Sequence, residues 1–135
     1  MLRLEIVTPE AKTYSDDVDS VVIPGIEGEL GVLPQHAPII TQLEPGELRV
    51  FKGGTELRLA VGEGFVEITS EKVAVLTDMA VKESDIDEAA AEEAIRRAEE
   101  AMSGDKLSTE AYAANNAALL RSLALVKVKR RRHQL

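Results

Sequence analysis

The 135-residue chain contains no cysteine and no tryptophan, and only two histidines, His36 and His133. Disulfides, thiolate metal sites and a cysteine nucleophile are excluded, and so little histidine argues against a His-rich metal centre. Aromatic residues make up 3% of the chain, as Tyr14, Phe51, Phe65 and Tyr112, too few for a stacking platform under single-stranded nucleic acid. A net charge of −8 would repel a phosphate backbone as well, so nucleic acid is not an expected partner. No apolar run approaches the roughly 18 residues that span a bilayer. The segment Met1-Leu2-Arg3-Leu4-Glu5 alternates in charge where a secretory leader would be apolar, so neither a leader nor a membrane span is expected.

What the chain has is 44% hydrophobic and 30% charged residues, the composition of a globular protein with a core. Its length fits one domain or one domain with an appendage. Charge is distributed unevenly. Residues 1–84 hold 7 Lys+Arg and 15 Asp+Glu, residues 85–120 hold 3 and 9, and residues 121–135 hold 6 and none. An acidic body ends in a basic tip.

Residues 1–84 read as strands. Leu2, Leu4 and Ile6 alternate with Arg3 and Glu5, and Val18 to Ile23 form a β-branched run stopped by Pro24-Gly25. Three glycines and two prolines between Gly25 and Pro38 imply a shaped loop. Leu48 and Val50, then Leu57, Leu59 and Val61, alternate with charged residues on either side of Gly53-Gly54. Paired glycines accept positive φ at both central turn positions, so residues 47–61 are predicted to be a β-hairpin. Phe65 to Ile68 and Val73 to Leu76 repeat the arrangement around Ser70-Glu71-Lys72. Short strands with turn signals about every ten residues indicate a β-sandwich or flattened barrel.

The period changes at residue 84. Ser84, Asp85 and Asp87 supply a hydroxyl N-cap and first-turn acids. A helix should follow to Ser103-Gly104, with Ile86, Ala90, Ala94, Ala98 and Met102 as its small-residue face. Ser108 signals a second helix running past Val126, with Tyr112, Leu119, Leu123 and Val126 in one stripe beside Ala111, Ala114 and Ala118. At ~1.5 Å per residue it should be roughly 30 Å long or more. The short connection demands antiparallel neighbours, so residues 85–135 are expected to be a helical hairpin following a sandwich of residues 1–84, an α+β chain. Eleven of the 36 residues from 85 to 120 are alanine, which bury little area, so the hairpin is held weakly or is simply a good helix former.

No nucleophile with its base, no acid and base pair and no metal cluster occurs at recognisable spacing. His36 reads as a structural loop histidine. Asp16-Asp17-Val18-Asp19 lacks the glycine and distant glutamate of a calcium loop and reads as a solvated acidic turn. Gly62-Glu63-Gly64 has neither the lysine nor the helix of a phosphate loop. Neither catalysis nor a resident cofactor or metal is expected. The run Lys127-Val128-Lys129-Arg130-Arg131-Arg132-His133 is either a solvated helix end or a surface for an acidic partner. One exposed ion pair contributes only ~0.2–1 kcal/mol, but several together can bias a two-state element.

The segment Gly28-Glu29-Leu30-Gly31-Val32-Leu33-Pro34-Gln35-His36-Ala37-Pro38-Ile39, within this arrangement of sandwich and hairpin, resembles the epsilon-subunit family of the F-type ATP synthase. Val7-Thr8-Pro9, Pro45-Gly46-Glu47-Leu48-Arg49-Val50, Gly64-Phe65-Val66-Glu67-Ile68 and Ile86-Asp87 extend the likeness over the whole chain. The resemblance implies a rotor part of the central stalk, peripheral to the membrane on the cytoplasmic face of a bacterial inner membrane. Its sandwich would grip the gamma subunit and rest on the c-ring, coupling ion-driven rotation to ATP synthesis. Its hairpin would lie folded or extend along gamma and block hydrolysis. Carried over by position, Glu29 and His36 would face the c-ring, and Arg121, Lys127, Lys129 and Arg130 would meet the beta subunit. A free-standing sandwich module whose basic tail docks an acidic partner is the alternative.

Three positions depart from the family pattern. Gln35 and Glu63 stand where glycine is usual, and a left-handed backbone at Gln35 would cost ~1–2 kcal/mol. The family's nucleotide motif Ile-Asp-x-x-Arg-Ala reads Ile86-Asp87-Glu88-Ala89-Ala90-Ala91 here. Asp87 is retained, but Ala90 replaces the phosphate-binding arginine, so ATP binding should be weak or absent.

Overall fold

Side chains along the first strand alternate strictly between buried and half-exposed, because Leu2, Leu4 and Ile6 point one way and Arg3 and Glu5 the other. The same rhythm recurs through most of ten strands in the computed structural model, which describes residues 1–103 and 108–131. They are β1 (Leu2–Val7), β2 (Lys12–Val18), β3 (Ser20–Gly25), β4 (Gly28–Val32), β5 (Ile39–Leu43), β6 (Gly46–Lys52), β7 (Thr55–Val61), β8 (Gly64–Ile68), β9 (Lys72–Thr77) and β10 (Ala80–Lys82). A 3-10 turn at Glu83–Asp85 leads to the helices α1 (Glu88–Met102) and α2 (Thr109–Arg131). The expected glycine stop at Gly104, and the end of the basic tip at Arg132 and His133, lie outside the described residues.

Two layers result, β4-β3-β6-β7-β10 and β5-β8-β9-β1-β2, joined where Gly25 of β3 pairs with Leu43 of β5. Pairing is antiparallel except between β1 and β9, which run parallel from Arg3↔Lys72 to Val7↔Leu76. On the other side the barrel nearly closes. Asp19 donates its amide to the Phe51 carbonyl at 2.9 Å and accepts from the Gly53 amide at 2.8 Å, and Lys52 pairs with Asp16 at 2.6 Å. Asp16 and Asp17 thus belong to β2 and its edge, a correction to the expected acidic turn. The core between the layers is aliphatic, with Leu2, Leu4, Ile6, Val21, Ile23, Leu48, Leu59, Val66, Ile68 and Val75 all sealed from water. Gly53 and Gly54, at φ +58° and +79°, form the predicted hairpin turn between β6 and β7.

Gly25–Pro38 is not all loop: β4 runs through it, pairing with β3 from Val21↔Val32 to Gly25↔Gly28. Gln35, just beyond β4, has φ +67°, the left-handed conformation that glycine adopts most easily, and donates its amide to the Ser70 carbonyl at 2.7 Å.

The outer face of β6 and β7 is covered, and their burial loses its alternation at Gly46-Glu47-Leu48 and Leu59-Ala60-Val61. The cover is α2. Val128, fully buried, packs with Ala60 and Ile86, flanked by Met79, Val81 and Leu125. The hairpin in this structure is folded down on the sandwich. At 100° per residue Ser122 and Val126 point about opposite to Ala124 and Val128, the pair that turns toward the sandwich.

The helices correct the sequence reading in three respects. α1 begins later than Ser84 because the carboxylate of Asp87 accepts from the Ala90 amide at 3.1 Å and caps the helix there. Its buried face is Ala91 and Ala98, with Ile95 half-buried between them, not the series through Ala90 and Ala94, which are exposed. On α2 the expected stripe is split, since Val126 is buried while Tyr112 and Leu123 are exposed. Ser108 caps α2 as predicted, its hydroxyl accepting from the Ala111 amide at 3.1 Å.

Candidate functional site

The basic end of α2 lies against acidic groups of the same chain. Arg121 donates to Asp78 at 3.3 Å, across from the β9–β10 turn. That turn is tightly held: the Asp78 amide donates to the Glu63 carbonyl at 3.1 Å, and the buried Thr77 hydroxyl lies 3.0 Å from the same oxygen. A Cβ on Gly62 would stand 1.9 Å from the Asp78 carboxylate, so glycine there makes the room in which Asp78 turns toward Arg121. Lys129 donates to the Glu83 carbonyl at 3.3 Å. Arg130 donates to Glu88 of α1 at 2.9 Å and also pairs with Glu92, and its hydrogen bonds to these two carboxylates push its basicity above the usual arginine value. Lys127 is exposed and lines a cleft with Glu29, Glu44 and Glu47.

Each of these is a partly exposed contact. Arg121 and Arg130 side chains retain 35% and 56% of their exposure, so each pair is weak and screened by solvent and salt. They bias the position of α2 without locking it.

The loop candidates are on the surface but apart. Glu29, paired with Pro24 near the Gly25–Gly28 turn, is exposed and accepts from Arg49 at 3.0 Å. His36 follows the opposite end of β4, half-exposed, with Nδ1 2.7 Å from the Ala37 carbonyl. The structure instead unites Glu29 with Lys127 in one cleft, which the linear pattern gave no means of seeing. At the start of α1 Asp87 is engaged as the cap, and Ala90 offers a methyl where the nucleotide motif needs a cation.

A further surface escaped the sequence reading. On the outer face of the second layer Ile40, Phe65 and Leu76 are 72%, 59% and 51% exposed, with Phe65 and Leu76 paired across β8 and β9. Their signal was large apolar residues at the polar positions of alternating strands.

Among the described residues no group of three or more His, Asp or Glu could hold a metal, and no helix is long and apolar enough to cross a membrane. The architecture is that of a β-sandwich carrying a folded, charge-laced helical hairpin and leaving one apolar face exposed. The profile described as ATP synthase, Delta/Epsilon chain, beta-sandwich domain matches residues 1–83, and that described as the long alpha-helix domain of the same chain matches residues 84–130. Curated relatives named ATP synthase epsilon chain include that of Dehalococcoides mccartyi, 44% identical over 98% of this chain and 96% of the relative. That of Herpetosiphon aurantiacus is 42% identical over 97% and 98%. The chain belongs to the delta/epsilon chain family of the ATP synthase and is a non-catalytic subunit of that complex.

Solved structures show the same fold at low identity. A chain of the Euglena gracilis mitochondrial ATP synthase, in an OSCP/F1/c-ring assembly, superposes with a TM-score of 0.76 at 24% identity, covering 92% of this chain and 78% of that one. A chain of the Tetrahymena thermophila mitochondrial ATP synthase, from its central stalk and c-ring, gives a TM-score of 0.62 at 12% identity, covering 95% and 96%.

Proposed function

We propose that the chain is a rotor subunit of the central stalk, in which residues 1–84 form a platform on gamma and the c-ring and residues 85–135 form a hairpin that restrains ATP hydrolysis. It sits at the membrane surface on the cytoplasmic side of a bacterial inner membrane, and through the platform it couples c-ring rotation to ATP synthesis. One observation carries this reading: three of the four cations that would meet the beta subunit, Arg121, Lys129 and Arg130, are engaged in the folded hairpin by Asp78, the Glu83 carbonyl, and Glu88 and Glu92. Lifting α2 exchanges these contacts for others of the same sign. Folded and extended forms therefore differ by the balance of several weak pairs and one small apolar contact, the condition for a switch.

The exposed face of Ile40, Phe65 and Leu76 supports gamma as the occupant of the platform's free side, since an apolar face of a sheet favours burial against a partner. The exposure of Glu29 and His36 is compatible with contact to the c-ring. Nucleotide takes no part in this scheme, because Ala90 supplies no cation and Asp87 is committed to the helix cap. Isothermal titration with ATP should give no binding in the micromolar range.

The decisive experiment is reconstitution with gamma, the catalytic head and the membrane sector, with and without residues 85–135. Truncation should leave assembly intact and raise ATP hydrolysis; unchanged hydrolysis would remove the regulatory role. A failure of residues 1–84 to bind gamma at low salt would remove the platform.

A further inference from the structure

The outer face of the second layer carries charge as well as apolar surface, in a fixed order along its strands. On β8 Phe65 and Glu67 point outward while Val66 and Ile68 are buried, and on β9 Lys72, Ala74 and Leu76 take the outward positions. Register sets Phe65 beside Leu76, and Glu67 between Ala74 and Ile40. Just before Phe65 the Asp78 amide donates to the Glu63 carbonyl at 3.1 Å, which brings these two exposed residues together at the rim of the face. Glu63, Asp78, Leu76, Val7 and Pro9 line a cavity of about 350 Å³, which Leu76 shares with the apolar face. Asp78 is turned to Arg121 of α2, whereas Glu63 and Glu67 stand exposed. The Phe65–Leu76 pair is thus bracketed by Glu63 before it and Glu67 after it, and two residues of a strand advance about 6.7 Å. At the far end of the face the sign reverses, where Lys72 stands beside Arg3.

We infer that Glu63 and Glu67 are specificity-determining residues for the subunit that covers this face, and that its covering segment presents an apolar side chain between two lysines or arginines. The inference rests on the reading of gamma as the occupant of the face, so the segment belongs to gamma. The apolar side chain packs on Phe65 and Leu76 beside the cavity, and each flanking cation meets one carboxylate. A neutral flank would take the two carboxylates from water without compensation, and an acidic one would be repelled. The order of charge also fixes register and direction, because a segment displaced toward Lys72 and Arg3 brings its cations against like charge. Glu63 stands where the family usually has glycine, so the gamma that suits this chain carries a cation that a glycine-bearing relative does not require.

The test is binding of the full chain to the catalytic head that carries its own gamma and lacks this subunit, measured by surface plasmon resonance at about 20 mM and about 500 mM salt. Glu63→Lys and Glu67→Lys should each raise Kd at least about tenfold at low salt, largely through slower association, and by less than about threefold at high salt. Glu63→Gln and Glu67→Gln, which keep the side chain's shape, should show a smaller loss with the same salt dependence. Phe65→Ala and Leu76→Ala should weaken binding by a similar factor at both salts, since burial of apolar surface is not screened. Glu56→Lys, exposed on β7 of the other layer, should bind within about twofold of the unaltered chain. If either lysine variant binds within about twofold of the unaltered chain while Phe65→Ala is weakened, or if its loss persists in full at high salt, the inference is overturned and gamma keeps its place on the face. If Phe65→Ala and Leu76→Ala both bind as the unaltered chain does, the occupant itself is wrong.

Discussion

Val128→Ala should release the hairpin and leave the sandwich intact. Val128 has no exposed surface and is the aliphatic centre of the contact among Ala60, Ile86, Met79, Val81 and Leu125. The substitution removes two carbons at about 0.8 kcal/mol each, and the gap they leave raises the cost to about 2 kcal/mol. That is about a 30-fold shift of the docking equilibrium toward release. The assay is thiol labelling of a single-cysteine chain, with Ala124→Cys reporting the seam and Val75→Cys reporting the sandwich core. Labelling at 124 should rise about 30-fold and at 75 remain unchanged. A parallel rise at both positions would show that hairpin and sandwich open as one unit, and no rise at either would show that α2 is held by something other than Val128; both results refute the argument.

Three other outcomes follow from the geometry. A Cβ on Gly64 would lie 1.8 Å from the Leu76 carbonyl oxygen, so Gly64→Ala must push β8 from β9 and should lower stability in urea by about 1–3 kcal/mol or more, whereas Gly62→Ala need only displace the Asp78 side chain, sparing the fold but breaking its pair with Arg121. Gln35→Gly should raise stability by about 0.5–1 kcal/mol through relief of its left-handed backbone, and Gln35→Val should lower it by a similar amount or more, because a β-branched residue fits that conformation worst. Hydrogen bonds from the Lys52 ammonium and then the Asp17 amide hold the Asp16 carboxyl below the ordinary carboxylate range. With the folded value depressed, its contribution is complete above the unfolded value and fades as pH falls toward the folded one; the same bond raises Lys52, whose contribution is complete below its unfolded value and fades as pH rises, so Asp16→Asn should flatten the acid limb of a stability profile and soften the far alkaline limb as well.

The hairpins β6–β7 and β8–β9 could be read in the sequence because hydrophobic alternation and turn residues say the same thing there. β2 could not, since Lys-Thr-Tyr-Ser-Asp-Asp-Val has one aliphatic residue, Val18, and so no hydrophobic alternation to read. β4 was hidden by its glycines, which the chain uses where Gly28 has φ +119° and where the hairpin turns back at Gly25. The buried face of α1 was misplaced for a different reason: a run of alanines presents no contrast between faces, and only contact with α2 selects Ala91 and Ala98. The basic tip was plain as charge. Its pairings were not, because Arg121 with Asp78 and Arg130 with Glu88 are each more than 40 residues apart, and nothing local indicates them.

The parallel junction of β1 with β9 has a bearing on how the molecule is made. β1 has β2 close by in sequence, but its other neighbour, β9, is supplied only with residues 72–76, so the second layer completes late, and every strand pair in the sheet is supplied before residue 83. The helices come last and settle on a finished surface. An element added to a body already complete can be withdrawn again without disturbing the body's own construction.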